Sequence, residues 1–245
     1  MADVAASLPR RLAALGTALA TAIVILALAI VPFLTPAWVS FEQNRTGAAE
    51  LSGFSQAEID AVTGEVLRDL VLGGDFAIET SAGERLLNDR EVGHMQDVRD
   101  VFGAFALVAF VAVVAVVAAF LGARRLGHPE RFWRATRGGA IGLAAGVVVA
   151  AGVVLVAFDV AFELFHRLFF AGGSYTFDPQ TERLVQLFPF AFWSETTMAV
   201  GAVVVVLCAG VAVVAGRRLR AASSGESRAG APAQGPGPVG AEAAR

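Results

Sequence analysis

The sequence predicts an all-α integral membrane protein, a four-transmembrane-helix bundle with both termini cytoplasmic and a small extracytoplasmic cap from residues 35–98 and 164–193. Three observations predict it. The 245 residues are 56% hydrophobic and only 17% charged, with a mean hydropathy of +0.64, which is not the profile of an ordinary soluble domain. Four apolar runs are long enough to cross the ~30 Å hydrocarbon core of a bilayer. The short arginine-rich stretches all fall at one end of those runs, and basic short loops stay cytoplasmic.

The first span, about 12–34, follows Arg10 and Arg11. It is too long for a signal-peptide core and ends in Pro32, Phe33 and Pro36 rather than a small-residue cleavage site, so it reads as an uncleaved anchor. Residues 35–98 carry 12 acids against four arginines. Within them, Ser55 and Glu58 form a capping-box start to a helix running to Gly73 and Gly74, with Ile59, Val62, Val66, Leu67 and Leu70 on one packing face. The stretch DFAIETSAGERLLN suits a short hairpin. A second span, about 101–121, leads into Arg124, Arg125, Arg131, Arg134 and Arg137. The third, about 138–161, opens on Gly138, Gly142 and Gly146, a small-residue row that permits close helix packing. The fourth, about 194–216, ends at Arg217, Arg218 and Arg220. Residues 221–245 are Ala, Gly, Pro and Ser without apolar pattern and are expected to be a disordered cytoplasmic tail.

This topology gathers the ionisable residues at the outer face. Glu91, His94 and Asp97 lie within an arc of about 120° on one helix, and Asp159, Glu163 and His166 within about 60° on another, at ~100° per residue. Phe158, Phe162, Phe165 and Phe169 make a neighbouring apolar stripe suited to lipid or an acyl chain. Ionisable groups at membrane depth are costly and mark candidate functional sites, although helix-to-helix hydrogen bonding also accounts for them. A histidine at an interface also serves as an amphipathic anchor, and an aromatic belt accounts for Trp38, Tyr175, Phe190 and Trp193. His128, among cytoplasmic arginines, receives no role.

The composition narrows the chemistry. All 19 basic residues are arginine, which removes Schiff-base and Ser-Lys mechanisms. The single Cys208 lies in an apolar run, which excludes internal disulfides and cysteine metal clusters. No G-x-S-x-G is present. General acid-base work by carboxylate-oriented imidazoles remains, and ester transfer or hydrolysis fits it. Metal ligation by His94 and His166 with Asp97, Asp159 or Glu163 is the weaker use of the same residues, because no strong metal spacing such as HExxH occurs.

The string Glu91, His94, Met95, Asp97, Val98, Arg99 (E-x-x-H-M-x-D-V-R) and the later F-H-x-x-F-F, F-D-P and L-F-P resemble a bacterial family of four-span membrane proteins. That family was long known only as a domain of unknown function, and its characterised members are lipoprotein intramolecular transacylases. The second block matches at Phe165, His166, Phe169, Phe170, Phe177, Asp178, Pro179, Leu187, Phe188 and Pro189, with Tyr175 where a Trp is expected. The resemblance covers roughly residues 12–216. It implies transfer of the sn-2 acyl chain of a diacylglyceryl lipoprotein to the α-amino group of its lipidated cysteine at the outer face of the cell membrane. It further implies His94 and His166 as the essential catalytic pair, with Asp97 and Glu163 supporting them. Glu91, Met95, Arg99, Asp159, Phe165, Phe169, Phe170, Tyr175, Phe177 and Asp178 would shape the substrate site. No cofactor and no metal are implied; the partners are lipoproteins and membrane lipids, not nucleic acid. The alternatives are a lipid- or lipoprotein-binding membrane subunit without catalysis, or an acyltransferase or hydrolase acting on another lipid ester.

Overall fold

The computed structural model describes residues 2–170 and 175–229. Long helices dominate because the chain is built from Ala, Val, Leu and Phe runs free of interior proline over most of their length. The helix α1 covers Ala2–Ile30, and α5 (Asp89–Arg125), α6 (Pro129–Phe169) and α8 (Phe190–Ala229) are the other long helices. All four are long and apolar enough to cross a membrane. Between α1 and α5 lie three short helices, α2 (Pro36–Arg45), α3 (Ala48–Ser52) and α4 (Gln56–Arg68), and between α6 and α8 lies α7 (Arg183–Leu187). The 101–121, 138–161 and 194–216 stretches lie within α5, α6 and α8, and the 12–34 stretch runs through α1 into a 3-10 turn at Val31–Leu34. The tail differs from expectation: α8 continues to Ala229, so residues 221–229 are helical, because Ala221 and Ala222 extend the preceding turn at little entropic cost. The remainder of the expected tail, 230–245, lies outside the described residues.

The bundle packs α1 against α5, α6 and α8, with α6 running along α8. Ile25, Ala29, Ala140, Val204 and Cys208 form its buried centre. Gly139 rests so closely on α1 that an added Cβ would lie 2.9 Å from the Ala18 Cα. Of the glycines in this stretch it is therefore Gly139, and not the expected row of Gly138, Gly142 and Gly146, that makes the close approach; a Cβ on any of those three meets nothing within 4 Å.

The cap has its own core of Ile59, Val62, Val66, Phe76, Ile78, Leu86, Leu87, Met95, Leu184 and Leu187. Ser55 caps α4 as expected, accepting from the Glu58 N–H at 3.3 Å. The Glu58 carboxylate does not return to Ser55; it accepts from the Ser81 N–H at 3.1 Å and hydroxyl at 2.7 Å and so holds the following loop. The expected hairpin is reduced to one antiparallel bridge between Glu79 and Arg85, turning at Gly83 with φ +75°. Fully buried Gln43 donates to the Thr63 hydroxyl at 3.1 Å and the Leu187 carbonyl at 3.0 Å, which ties α2 to α4 and α7. Arg45 pairs with Glu42 beside it and with Glu195 at the start of α8, fastening the cap to the bundle.

Candidate active site

α5 has 37 residues and α6 has 41. At 1.5 Å per residue each exceeds ~55 Å, well beyond the ~30 Å apolar layer, so their cap ends stand clear of it. His94 precedes the apolar run that starts at Val101, and His166 follows the one that ends near Asp159. The α6 backbone breaks at Ala157, with φ −149° and ψ 52°, so the Asp159–Phe169 stretch departs from the axis of the span below it.

Two independent devices fix α5 at this end. Asn88 accepts from the Arg90 and Glu91 N–H groups at 2.9 and 3.0 Å, and Glu91 returns to the Asn88 N–H at 2.8 Å, completing a capping box. The other oxygen of Glu91 accepts from the Leu184 N–H at 2.6 Å, so one buried carboxylate caps α5 and seats α7. Arg90 donates to Glu182 at 3.2 Å and to the Thr176 carbonyl at 2.8 Å, and lies 5.6 Å over the Phe177 ring. Glu182 also accepts from the Asn88 amide and the Asp178 N–H. The loop from Tyr175 to Glu182 is thereby pressed onto His94. The signal for this was N-D-R-E at 88–91, an N-cap residue followed three positions later by Glu.

The result is a paired imidazole. The His94 and His166 rings lie 6.1 Å apart between centres with their planes 23° from parallel. At that separation the two rings border the same small volume between the cap ends of α5 and α6. Buried Phe170 lies 4.9 Å from His94 and 5.4 Å from His166, Phe177 is 5.4 Å from His94, and Tyr175 is 4.9 Å from His166. His166 Nδ1 is 2.7 Å from the Phe162 carbonyl oxygen. A carbonyl only accepts, so Nδ1 carries the proton and Nε2 of the neutral ring carries the lone pair. His94 Nδ1 is buried without a hydrogen-bond partner among the described residues.

Burial pushes both imidazoles below their ordinary value of 6.5. His94 falls to about 4, through burial first and then the neighbouring His166, against the opposing pull of Asp97. For His166 the hydrogen bond to Phe162 and the charge of Glu163 oppose the burial. Glu163 is held below the usual carboxylate range, chiefly by the Arg167 guanidinium donating at 2.7 Å and further by the Tyr175 hydroxyl at 3.1 Å. Glu163 therefore reaches His166 through Tyr175 and through space, not by a direct hydrogen bond.

The other expected residues divide. The Phe165 and Phe169 rings lie 4.9 Å apart, tilted by 44°, and are half exposed beside Leu164 and Leu168, giving an apolar wall next to the pair. Asp97 is exposed one turn beyond His94, and Asp159 is exposed on α6; neither makes a hydrogen bond or ion pair among the described residues. Glu91 and Met95 are turned into the cap core, away from the pair, because their side of α5 faces α7 and the loops. Arg99 covers the Phe76 ring at 5.5 Å and donates to the Gly74 carbonyl, so it anchors the 73–87 loop. Asp178 accepts from the Gln180 N–H at 2.9 Å and shapes its own turn. Among the described residues no three of His, Cys, Asp and Glu converge to hold a metal ion.

The family described as lipoprotein intramolecular transacylase Lit has a sequence profile that matches residues 14–193. In three dimensions the chain is similar to the in meso structure of the membrane-integral lipoprotein intramolecular transacylase Lit from Bacillus cereus. The TM-score is 0.74 at 17% identity, over 91% of this chain and 99% of that one. Two structures of that protein with one histidine replaced, by arginine or by alanine, are similar at TM-score 0.71 and 18% identity. They cover 91% and 90% of this chain and 96% and 99% of theirs. No curated protein sequence matches the chain.

Proposed function

The chain belongs to the lipoprotein intramolecular transacylase family, and from that premise we propose that His94 and His166 carry out the transfer by acid-base chemistry between them. As a member of that family it is a multi-pass membrane acyltransferase acting on lipoproteins. The proposal concerns which acyl chain moves, by which residues, and on which face. The single observation that carries it is the 6.1 Å pairing of two buried imidazoles from different helices beside an apolar wall.

In this reading the substrate supplies both reactants. The α-amine of the lipidated cysteine attacks the carbonyl carbon of the sn-2 ester, forming the new C–N bond. His166 Nε2, the ring nitrogen with the lone pair, takes the proton from the attacking amine. His94, neutral because it is buried, donates an N–H to the oxyanion of the tetrahedral intermediate. The carbon–oxygen bond to glycerol then breaks, and His166 returns its proton to the departing glyceryl oxygen. The products are an N-acyl cysteine and a free glyceryl hydroxyl, with no change in mass. Phe165, Phe169 and their neighbours hold the acyl chains, at about 0.8 kcal/mol per buried CH₂. The cap lies on the extracytoplasmic face, because Arg10, Arg11, the 124–137 arginines and Arg217–Arg220 all lie at the opposite end of the bundle.

The test uses purified protein, a synthetic diacylglyceryl lipopeptide with a free amino terminus, and tandem mass spectrometry. The expected product has unchanged mass, with fragments that place one acyl chain on nitrogen. His166→Gln is expected to lower turnover by about 10²–10⁴ and His94→Gln by about 10²–10³, with both proteins still folded. A product lighter by one acyl chain, or full activity in either variant, would overturn the mechanism.

A further inference from the structure

The acyl-transfer reading leaves one part of the substrate without a place, its polypeptide. The attacking nitrogen and the first peptide carbonyl sit on the same carbon, so the polypeptide must leave from within two bonds of the nitrogen that the histidine pair serves. Resting on that reading, we propose that the first three or four residues of the lipoprotein chain lie, extended, in a groove on α5 beside His94.

The surroundings of the pair leave this exit. Phe162, Phe165 and Phe170 wall off one side with aromatic rings, and the cap core closes another. On α5 itself a solvent-open groove of about 340 Å³ is lined by Asp89, Arg90, Gly93, His94, Gln96 and Asp97, whose aliphatic stems and polar ends both face it. Helix geometry explains why it exists. Measured around α5 from His94, Arg90, Asp97 and Gly93 lie about 40–100° to one side, and Val98, Glu91 and Met95 lie about 40–100° to the other. Glu91 and Met95 are buried in the cap and Val98 is half-buried, whereas Arg90 and Asp97 are exposed with half-buried Gly93 beside them. His94 occupies the seam, so one ring takes part in the pair and also lines the groove.

The chemistry of the groove suits main chain. Arg90 is committed to Glu182 and the Thr176 carbonyl, whereas the Asp97 carboxylate and the exposed Gln96 amide are directed to no partner among the described residues. A carboxylate accepts peptide N–H groups, and an amide both donates and accepts. His94 Nδ1, on a ring only 6% exposed, adds a buried polar atom without a partner among the described residues at the inner end. Gly93 opens the floor, since a Cβ there would meet nothing within 4 Å. From Asp89 to Asp97 is about 12 Å along the helix, the length of three to four extended residues at ~3.4 Å each. Such a groove grips backbone and accepts many side chains.

The experiment compares two substrates, a diacylglyceryl-cysteine hexapeptide and diacylglyceryl-cysteine amide, which has no polypeptide. The unsubstituted enzyme is expected to favour the hexapeptide through a lower KM. Gly93→Leu fills the groove and is expected to raise the hexapeptide KM about ten-fold while leaving the amide's kcat/KM within about two-fold. Gln96→Trp, at an exposed position, does the same from the other wall and guards against a folding defect in the first variant. Equal use of both substrates by the unsubstituted enzyme, or equal loss on both in the variants, overturns the groove assignment while leaving the transfer chemistry standing. Absence of the N-acyl product from both substrates with unsubstituted enzyme would sink the transfer reading, and the groove with it.

Discussion

His166 owes its assignment as base to one hydrogen bond, the 2.7 Å contact of Nδ1 with the Phe162 carbonyl one turn back on its own helix. It fixes the tautomer and leaves Nε2 as the nitrogen with the lone pair. The lowered values of both imidazoles then have a definite sign. Each stays neutral through pH 7, and His94 takes up a proton only as the pH falls towards about 4. The substrate's α-amine, with an ordinary value of about 8, must be neutral to attack. We therefore expect kcat/KM to rise with pH through the amine's value and level off, without an imidazole limb near 6.5. A limb at 6.5 that stays put when a substrate of less basic amine is used would mean a solvated histidine. Stability follows the same shift. Below 6.5 the unfolded chain binds a proton that the folded His94 refuses, so its contribution is full above that value and is lost as the pH drops towards 4. Pairing of the two histidines was legible in the sequence only as two motifs at the same end of the bundle. The roles of the carboxylates were not legible, because helical arcs place Asp97 and Glu163 near a histidine on their own helix and say nothing of Arg167 or Tyr175, which engage Glu163.

At the scale of elements, the first turns of α5 organise the site. Arg90 is the member that sequence periodicity left out, since it matters for what it grips across the fold: Glu182, the Thr176 carbonyl and the Phe177 ring. Arg90→Met is expected to lower stability by about 1 kcal/mol, a charge-assisted bond discounted for its half-exposed guanidinium. Its larger effect is on turnover, through Phe177 and Tyr175 losing their seat on the histidines. Hydrogen exchange along 175–187 should speed up in this variant. Unchanged exchange with unchanged turnover would show that the loop is held elsewhere. The hairpin expected in the cap closes around one bridge, with the Leu86 N–H donating to the Ile78 carbonyl and the Thr80 N–H to the Glu84 carbonyl, both at 2.8 Å, and both Ile78 and Leu86 buried in the cap core.

At the scale of the whole molecule, the bundle depends on the contact of Gly139 with the Ala18 backbone, where any side chain forces α1 and α6 apart. Gly139→Leu is expected to cost about 1–3 kcal/mol by overpacking, read as a lower unfolding temperature in detergent, whereas Gly142→Leu, with open space at its Cβ, should be near neutral. Orientation is tested by cysteine labelling in intact cells in a Cys208→Ala background. Ser81→Cys in the exposed cap should react with an impermeant reagent, and Ser224→Cys should react only after permeabilisation; the reverse pattern would put the cap inside. By itself the sequence determined the number of spans, their approximate limits and the end at which the two histidines lie, because the bilayer demands runs of ~20 apolar residues and tolerates few charges within them. Only the tertiary structure decided which groups meet. The 6.1 Å approach of His94 to His166, the inward turn of Glu91 and the open face at Gly93 arise from packing between segments some 70 to 90 residues apart. Helical periodicity reports the angle of a residue on its own helix and not which neighbour that angle faces.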